Sequence, residues 1–257
     1  MAAPFGFPFR RRPPSPPASG RPTPIRRILA VLPIRAAVQL ACFDLDNTLL
    51  ATDSDYEWGQ FLIELGIRDR DGHEAANDRF YADYKAGTLD IDAFLAYQLA
   101  PLAEHTPAQL EAWHREFMRQ RILPHIGRSA RKLVQQHREA GHTLLIVTAT
   151  NAFVTAPIAV EFGIEHLIAT EPERIDGRYT GRYAGTPSFR EGKVTRLQEW
   201  LSSRGQSLES LAESWFYSDS RNDLPLLERV THPVAVDPDP ALEAVAHQRR
   251  WPVISLR

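Results

Sequence analysis

Asp44 and Asp46, in the stretch LACFDLDNTLL at positions 40–50, put two carboxylates at the end of an apolar run. Asp and Asn commonly satisfy backbone groups where strands end, so this pair alone says little. It does not begin a calcium loop either. Counted from Asp44, the sixth position is Leu49 where a glycine is needed, and the twelfth is Asp55 rather than glutamate. Companions come from later in the chain: Thr148 closes LLIVT, Lys193 sits in REGK at a predicted helix start, and YSDSRND carries Asp219, Asn222 and Asp223. Brought together, Asp44, Asp46 and Asp219 make a hard oxygen site suited to Mg2+, which keeps water ligands and binds a substrate phosphate. A hydroxyl and an ammonium beside it suit the remaining phosphate oxygens.

Convergence of residues this far apart requires a particular scaffold. VQLACF (38–43), HTLLIVT (142–148), HLIAT (166–170), SWFYS (214–218) and HPVAV (232–236) read as buried strands of a largely parallel sheet. Helical stretches alternate with them: RSARKLVQQHREAG, which ends on Gly141 as a left-handed cap, then EGKVTRLQEWLSS and NDLPLLERV. The alternation predicts an α/β doubly wound fold, in which ligands bind at the carboxyl ends of the strands. Each chemical group named above follows a predicted strand or opens a predicted helix, so the fold would gather them along one edge.

Residues 52–123 break the alternation. They hold no convincing strand but several helical repeats: Trp58, Phe61, Leu62 and Leu65; Ile91, Phe94, Leu95 and Leu99; Leu110, Trp113 and Phe117. Thr106 and Pro107 make an N-cap and first-turn pair for the last of these. The division expected is a tail at 1–37, a core segment at 38–51, a helical insert at 52–123 and the rest of the core at 124–257. At this spacing the aromatics are more simply bundle core than pocket lining. A second insert, EPERIDGRYTGRYAGTP, has the Gly, Tyr and Thr content of a hairpin and suggests a flap.

The net charge of −2 hides an asymmetry. Residues 1–37 carry seven arginines and no acid; without them, 23 basic residues face 32 acids, a balance of about −9. An acidic body is a poor nucleic-acid binder, because phosphate backbones are held by cationic contacts. The Pro- and Arg-rich tail reads as flexible, serving as a targeting peptide, an anionic-surface arm or mere padding. The run ILAVLPIRAAVQLA, broken by Pro33 and Arg35, falls short of the ~20 residues of a membrane span. No membrane partner and a cytoplasmic location are expected. Cys42 is the lone cysteine and reads as a small buried hydrophobe.

The set DLDNTLL, VTAT, GK and YSDSRNDLPLL resembles the four motifs of the haloacid dehalogenase-like hydrolases over residues 38–257. The helical insert after the first motif resembles the cap of the branch that contains phosphoserine phosphatase and histidinol-phosphatase relatives. Two departures stand out. Thr148, Ala149 and Thr150 replace the usual serine and two glycines, and SDSRND replaces a glycine-rich GDGxND.

The resemblance implies a Mg2+-dependent phosphatase. Asp44 would be the nucleophile, forming an aspartyl-phosphate, and Asp46 the general acid and base. Mg2+ would be held by Asp44, Asp219 and the backbone carbonyl of Asp46. Thr148, Ala149, Lys193 and Asn222 would bind the phosphoryl oxygens, with Asp223 in support. Nine residues after the nucleophile, where phosphoserine phosphatases pair a glutamate with the substrate ammonium, stands Asp53, near Asp55 and Glu57. Its plain alternative is a helix cap.

An acidic rim favours a cationic small-molecule phosphate ester, histidinol phosphate or O-phosphoserine. Histidinol phosphate is preferred because no cap residue, Arg79, Lys85, Arg115 and Arg119 included, stands out as a carboxylate clamp. A glycerol- or lipid-type phosphate is the alternative within the branch. From another class, a phospho-accepting signalling domain would use similar groups as a switch, but a first-strand nucleophile and a long helical insert favour the hydrolase.

Overall fold

A computed structural model describes residues 38–257; the tail expectations for 1–37 lie outside the described residues. In chain order the main elements are β1 (Gln39–Phe43), α1 (Ser54–Glu64), α2 (Arg70–Ala86), α3 (Ile91–Glu104), α4 (Pro107–Phe117), α5 (Arg128–Glu139), β2 (Thr143–Asn151) and α6 (Ala152–Glu161). There follow β3 (His166–Ile175), β4 (Arg178–Ala184), α7 (Glu191–Ser202), β5 (Glu213–Ser218), the single turn α8 (Leu224–Leu227), β6 (His232–Val236), α9 (Pro240–Arg249) and β7 (Val253–Ile254). The sheet order is β4-β3-β2-β1-β5-β6-β7, parallel throughout except for the antiparallel β3–β4 pair. The strands expected at 38–43, 142–148, 166–170, 214–218 and 232–236 are all present, in a mostly parallel α/β sheet.

Period-two alternation along β1 builds both layers. Ala41 and Phe43 face one core with Ile146, Val154, Ile158 and Val236, while Leu40 and Cys42 face the other with Val147, Leu197, Phe216 and Leu242. Burial on both faces explains why β1 reads as a continuous apolar run. Cys42 is fully buried, and burial holds its thiol far above the usual pKa, so it is inert packing.

Helices α1 to α5 come between β1 and β2; Trp58, Phe61 and Phe117 are core as expected, and Phe94 and Trp113 pack partly buried against it, while Tyr56 and Tyr81 are exposed. Trp58 packs within 6 Å of Phe61, His114, Phe117 and Phe153, which joins α1 and α4 to α6. The expected hairpin forms as β3–β4, but it is not free: Tyr179 is buried with Leu95, Leu99 and Leu102 of α3, and Tyr183 Oη donates to Asp92 at 2.6 Å. Helix α2 is an element the apolar pattern does not reveal. His73 and Phe80 are its buried residues, and its ends are set by the Asp69 cap and the left-handed Gly87. No helix among the described residues is long and apolar enough to cross a membrane.

At the amino ends of the strands, away from the groups named above, Trp215 is stacked between His142 and His232. Here His137 Nε2 meets Tyr217 Oη at 2.8 Å and its Nδ1 meets His142 Nδ1 at 2.7 Å. Burial, then His142, lowers the His137 pKa to about 4. The fold thus binds fewer protons here than the unfolded chain, and this contribution to stability is lost as pH falls from about 6.5 toward 4. Buried carboxylates with raised pKa values act in the opposite direction, so the comparison must be differential. In urea unfolding at pH 7 and pH 5, His137→Asn is expected to lose less stability on acidification than the parent does.

Candidate active site

The site begins where β1 ends. The Asp44 amide donates to the Tyr217 carbonyl at 2.9 Å, which continues the ladder to β5. The chain then turns back on itself: Asn47 adopts a left-handed conformation (φ 55, ψ 4), and the Leu50 amide donates to the Leu45 carbonyl at 2.9 Å. Asparagine tolerates that conformation better than most residues. Leu45 is fully buried, and Asp44 and Asp46 on either side of it face different partners.

Lys193 Nζ, 3% exposed, donates to Asp44 Oδ1 at 2.9 Å and to Asp223 Oδ2 at 2.7 Å. Burial works against its charge, yet the charges of Asp223 and Asp44 and their hydrogen bonds outweigh it, so its pKa is raised. Ser218 Oγ donates to Asp223 Oδ2 at 2.7 Å and fixes the second carboxylate. Lys193 reaches the strand ends from the first turn of α7. A Cβ on Gly192 would stand 2.0 Å from the Pro187 carbonyl oxygen, so glycine in REGK allows that turn to approach the preceding loop.

Asp219 is held by a reciprocal pair: Thr48 Oγ1 donates to Asp219 Oδ1 at 3.0 Å and accepts from the Asp219 amide at 3.1 Å. Burial, then the charges of Asp44 and Asp223, hold the Asp219 carboxyl well above its usual range. Asp44 is pushed up to about 7 by burial, against the pull of Lys193. Lys193 takes Asp44 and Asp223, whereas Asp219 has no basic side chain within 4 Å among the described residues. Two neighbouring carboxylates, Asp44 buried and Asp219 half-buried, that share too little positive charge fit a divalent cation with oxygen ligands. Among the described residues no three His, Cys, Asp or Glu side chains form a metal cluster by themselves. Asp44 and Asp219 could hold such a cation together with a backbone oxygen; the Asp46 carboxylate is engaged elsewhere.

The Asp46 carboxylate accepts from the Ser54 amide at 2.7 Å and from Thr150 Oγ1 at 2.7 Å. Burial and the Asp53 charge raise its pKa to about 6, against these hydrogen bonds. A carboxyl held there can give up and regain a proton near neutrality. Thr148 is buried one residue beyond the regular part of β2, where the register with β3 shifts between Val147 and Asn151. Such an irregularity re-aims side chains at strand ends. Thr148 Oγ1 accepts from the Thr150 amide at 3.2 Å, and the Ala149 carbonyl accepts from Thr170 Oγ1 at 2.8 Å. Asn222 accepts from Arg190 Nε at 3.0 Å, and its Nδ2 has no partner.

The structure therefore brings Asp44, Lys193 and Asp223 into direct contact and sets Asp46 and Asp219 close by. Asp53 caps α1, accepting from the Tyr56 amide at 2.9 Å, while its charge acts on Asp46. The motifs do not disclose several supporting groups. Thr48 and Ser218 lie inside the quoted DLDNT and YSDS stretches, but their roles need the fold. Thr150 is visible only as a departure from the usual glycine. Asp55, 6% exposed, accepts from Asn151 Nδ2 at 3.3 Å, and its carboxyl is raised well above the usual range by burial and then by Asp53 and Asp46. Tyr84 Oη of α2 lies 2.6 Å from Ser220 Oγ. If Thr150 holds Asp46 in place, Thr150→Val should lower kcat about tenfold with little change in KM, roughly the worth of one charge-assisted hydrogen bond.

A family model described as haloacid dehalogenase-like hydrolase matches residues 41–228. A Neisseria meningitidis serogroup C (strain 8013) protein named histidinol-phosphatase is 52% identical over 219 residues, 85% of this chain and 99% of that protein. A Mycobacterium tuberculosis (strain ATCC 25618 / H37Rv) protein named phosphoserine phosphatase SerB1 is 31% identical over 220 residues, 84% of this chain and 70% of that one. Among solved structures, a Bordetella pertussis Tohama I protein of unknown function is 51% identical with a TM-score of 0.81, covering 86% of this chain and all of that one. A phospho-aspartyl intermediate analogue of phosphoserine phosphatase matches at TM-score 0.62 and 17% identity, over 86% of this chain and 94% of that one; this likeness speaks for the fold alone.

Proposed function

The chain belongs to the haloacid dehalogenase-like hydrolases, and from that premise we propose that it is a Mg2+-dependent phosphomonoesterase acting through an aspartyl-phosphate on a small cationic phosphate ester. The observation that carries this reading is Lys193 bonded at once to Asp44 and Asp223 beside Asp219, which has no basic partner among the described residues.

In this reading Asp44 attacks phosphorus, the P–O bond to the alcohol breaks, and Asp46 gives its proton to the departing oxygen. Asp46 then takes a proton from the water that cleaves the acyl phosphate and restores Asp44. Bound Mg2+, held by Asp44, Asp219 and the Asp46 carbonyl, would offset the repulsion between nucleophile and phosphate, about 4 kcal/mol per charge pair at 4 Å near a protein surface. Lys193, Thr148, the Ala149 amide and Asn222 Nδ2 bind phosphoryl oxygens, and Asp223 holds Lys193 in place. The helices between β1 and β2, residues 52–123, act as a cap over the strand ends.

Histidinol phosphate is the substrate we favour. Besides burial, the Asp53 charge raises the carboxyls of Asp46 and Asp55, and Asp46 raises that of Asp55 against the pull of Arg68, so a substrate cation would be welcome there. The similarity to the Neisseria protein supports the same choice. Three of the cap's basic residues are occupied at its surface: Arg79 lies over Phe80, Lys85 over Tyr81, and Arg119 pairs with Glu116. The test is phosphate release from histidinol phosphate, O-phosphoserine and glycerol phosphate with Mg2+. We expect kcat/KM for the first to exceed the others by at least about a hundredfold, the value of one well-placed charged contact or two. Comparable low values for all three would defeat the choice.

A further inference from the structure

Beside the phosphoryl site stand two guanidinium groups that the proposed chemistry does not use. Arg190 precedes α7 with φ 50 and ψ −119, a conformation costly for a residue with a side chain, and its Nε donates to Asn222 Oδ1. Arg221 is exposed and adjoins Asn222 in the chain. A Cβ built on Gly87, where α2 ends, would lie 3.4 Å from Arg190 Nη2 and 3.6 Å from Arg221 Nη2. The two nitrogens are therefore no farther apart than the sum of those distances, about 7 Å. Together with the end of α2 they line a cleft of about 270 Å³ that also includes Asn222, which is 7% exposed and whose Nδ2 lacks a partner.

Like charges held this close repel unless negative charge lies between them. Among the described residues neither guanidinium forms an ion pair within 4 Å, although Glu191 lines the same cleft and the Asp239 carboxylate accepts from the Arg221 amide at 2.8 Å; residues 1–37 contain no Asp or Glu. The negative end of the α2 dipole attracts both arginines. That attraction leaves the strained backbone at Arg190 unexplained.

We propose that Arg190 and Arg221 form an anion subsite next to Asn222 that takes an oxyanion, either a carboxylate carried by the substrate or the released orthophosphate. The subsite rests on the phosphatase reading and refines its substrate class: carboxylate capture would favour O-phosphoserine over histidinol phosphate, which has no carboxylate, whereas phosphate capture is compatible with either ester. The positive charge of this subsite comes from the loops that precede α7 and α8, not from the cap. Arginine suits the task because its planar fork meets an oxyanion through two parallel hydrogen bonds.

O-Phosphoserine and O-phosphoethanolamine differ by one carboxylate, so their kcat/KM ratio in the parent and in Arg221→Gln isolates carboxylate capture. Orthophosphate titrated calorimetrically into the same two Mg2+-free proteins reports phosphate capture as the difference between them, because Lys193, Thr148 and Asn222 are present in both. Carboxylate capture predicts that Arg221→Gln lowers the phosphoserine-to-phosphoethanolamine ratio about tenfold, the range of one hydrogen bond to a charged group. Phosphate capture leaves that ratio unchanged and raises the orthophosphate Kd by a similar factor. Either result supports the subsite and names its occupant; if neither quantity moves in a variant with unaltered thermal unfolding, the subsite is overturned. A parent protein that releases phosphate from no ester would sink the phosphatase reading, and the calorimetric arm would still decide the subsite.

Discussion

Asp44→Asn is expected to abolish steady-state phosphate release, by four or more orders of magnitude, while the protein melts at the same temperature or higher. The loss follows from the proposed role: an amide cannot form the acyl phosphate, and groups that act as a unit with the nucleophile cannot replace it. The stability result follows from burial. Asp44 is pushed up to about 7, so in metal-free protein the fold disfavours its ionised form, and that part of the stability is lost as pH rises from the usual carboxylate range through 7. Asparagine removes this cost while Lys193 keeps Asp223 as a partner. Phosphate release from p-nitrophenyl phosphate and a thermal melt, both with and without Mg2+, check the two halves. Turnover retained in the purified variant would remove the proposed nucleophile.

Lys193→Met should damage the fold as well as the chemistry. The ammonium is the shared partner of two buried carboxylates, Asp44 and Asp223, at 2.9 and 2.7 Å. Removing one member of a buried ionic cluster leaves uncompensated charge and typically costs about 3–5 kcal/mol. A divalent cation would partly replace the lost charge at Asp44. The deficit measured by urea unfolding should therefore be larger in EDTA than in millimolar Mg2+, and the gain on adding Mg2+ larger than in the parent. Equal deficits in the two buffers would argue that Asp44 does not bind the cation.

The groups most legible in the sequence are those on the regular strands. Asp44, Thr148 and Asp219 each follow a short apolar run, and period-two burial makes such runs conspicuous. The helical insert was legible where it packs hard, as at Trp58, Phe61 and Phe117, and illegible where it does not. Helix α2 buries so little that apolar periodicity cannot announce it, so Tyr84 and its contact with Ser220 remained hidden. Arg190, Thr150 and Thr48 escaped for another reason. Their roles depend on a strained residue before a helix, on an irregularity at the end of β2 and on a loop that folds back on itself, and none of these follows from the spacing of residue types. Asp53 illustrates how two readings can coexist: the helix cap is realised, and the same carboxylate still presses on Asp46.

Strand β1 is the middle strand of seven, laddered to β2 on one side and to β5 on the other, and its last amide is tied to Tyr217. A carboxylate mounted there has little room to travel. In the proposed reaction, geometric adjustment between binding and bond breaking is left to the incoming ester rather than to the nucleophile. The anvil is fixed, and the hammer does the moving.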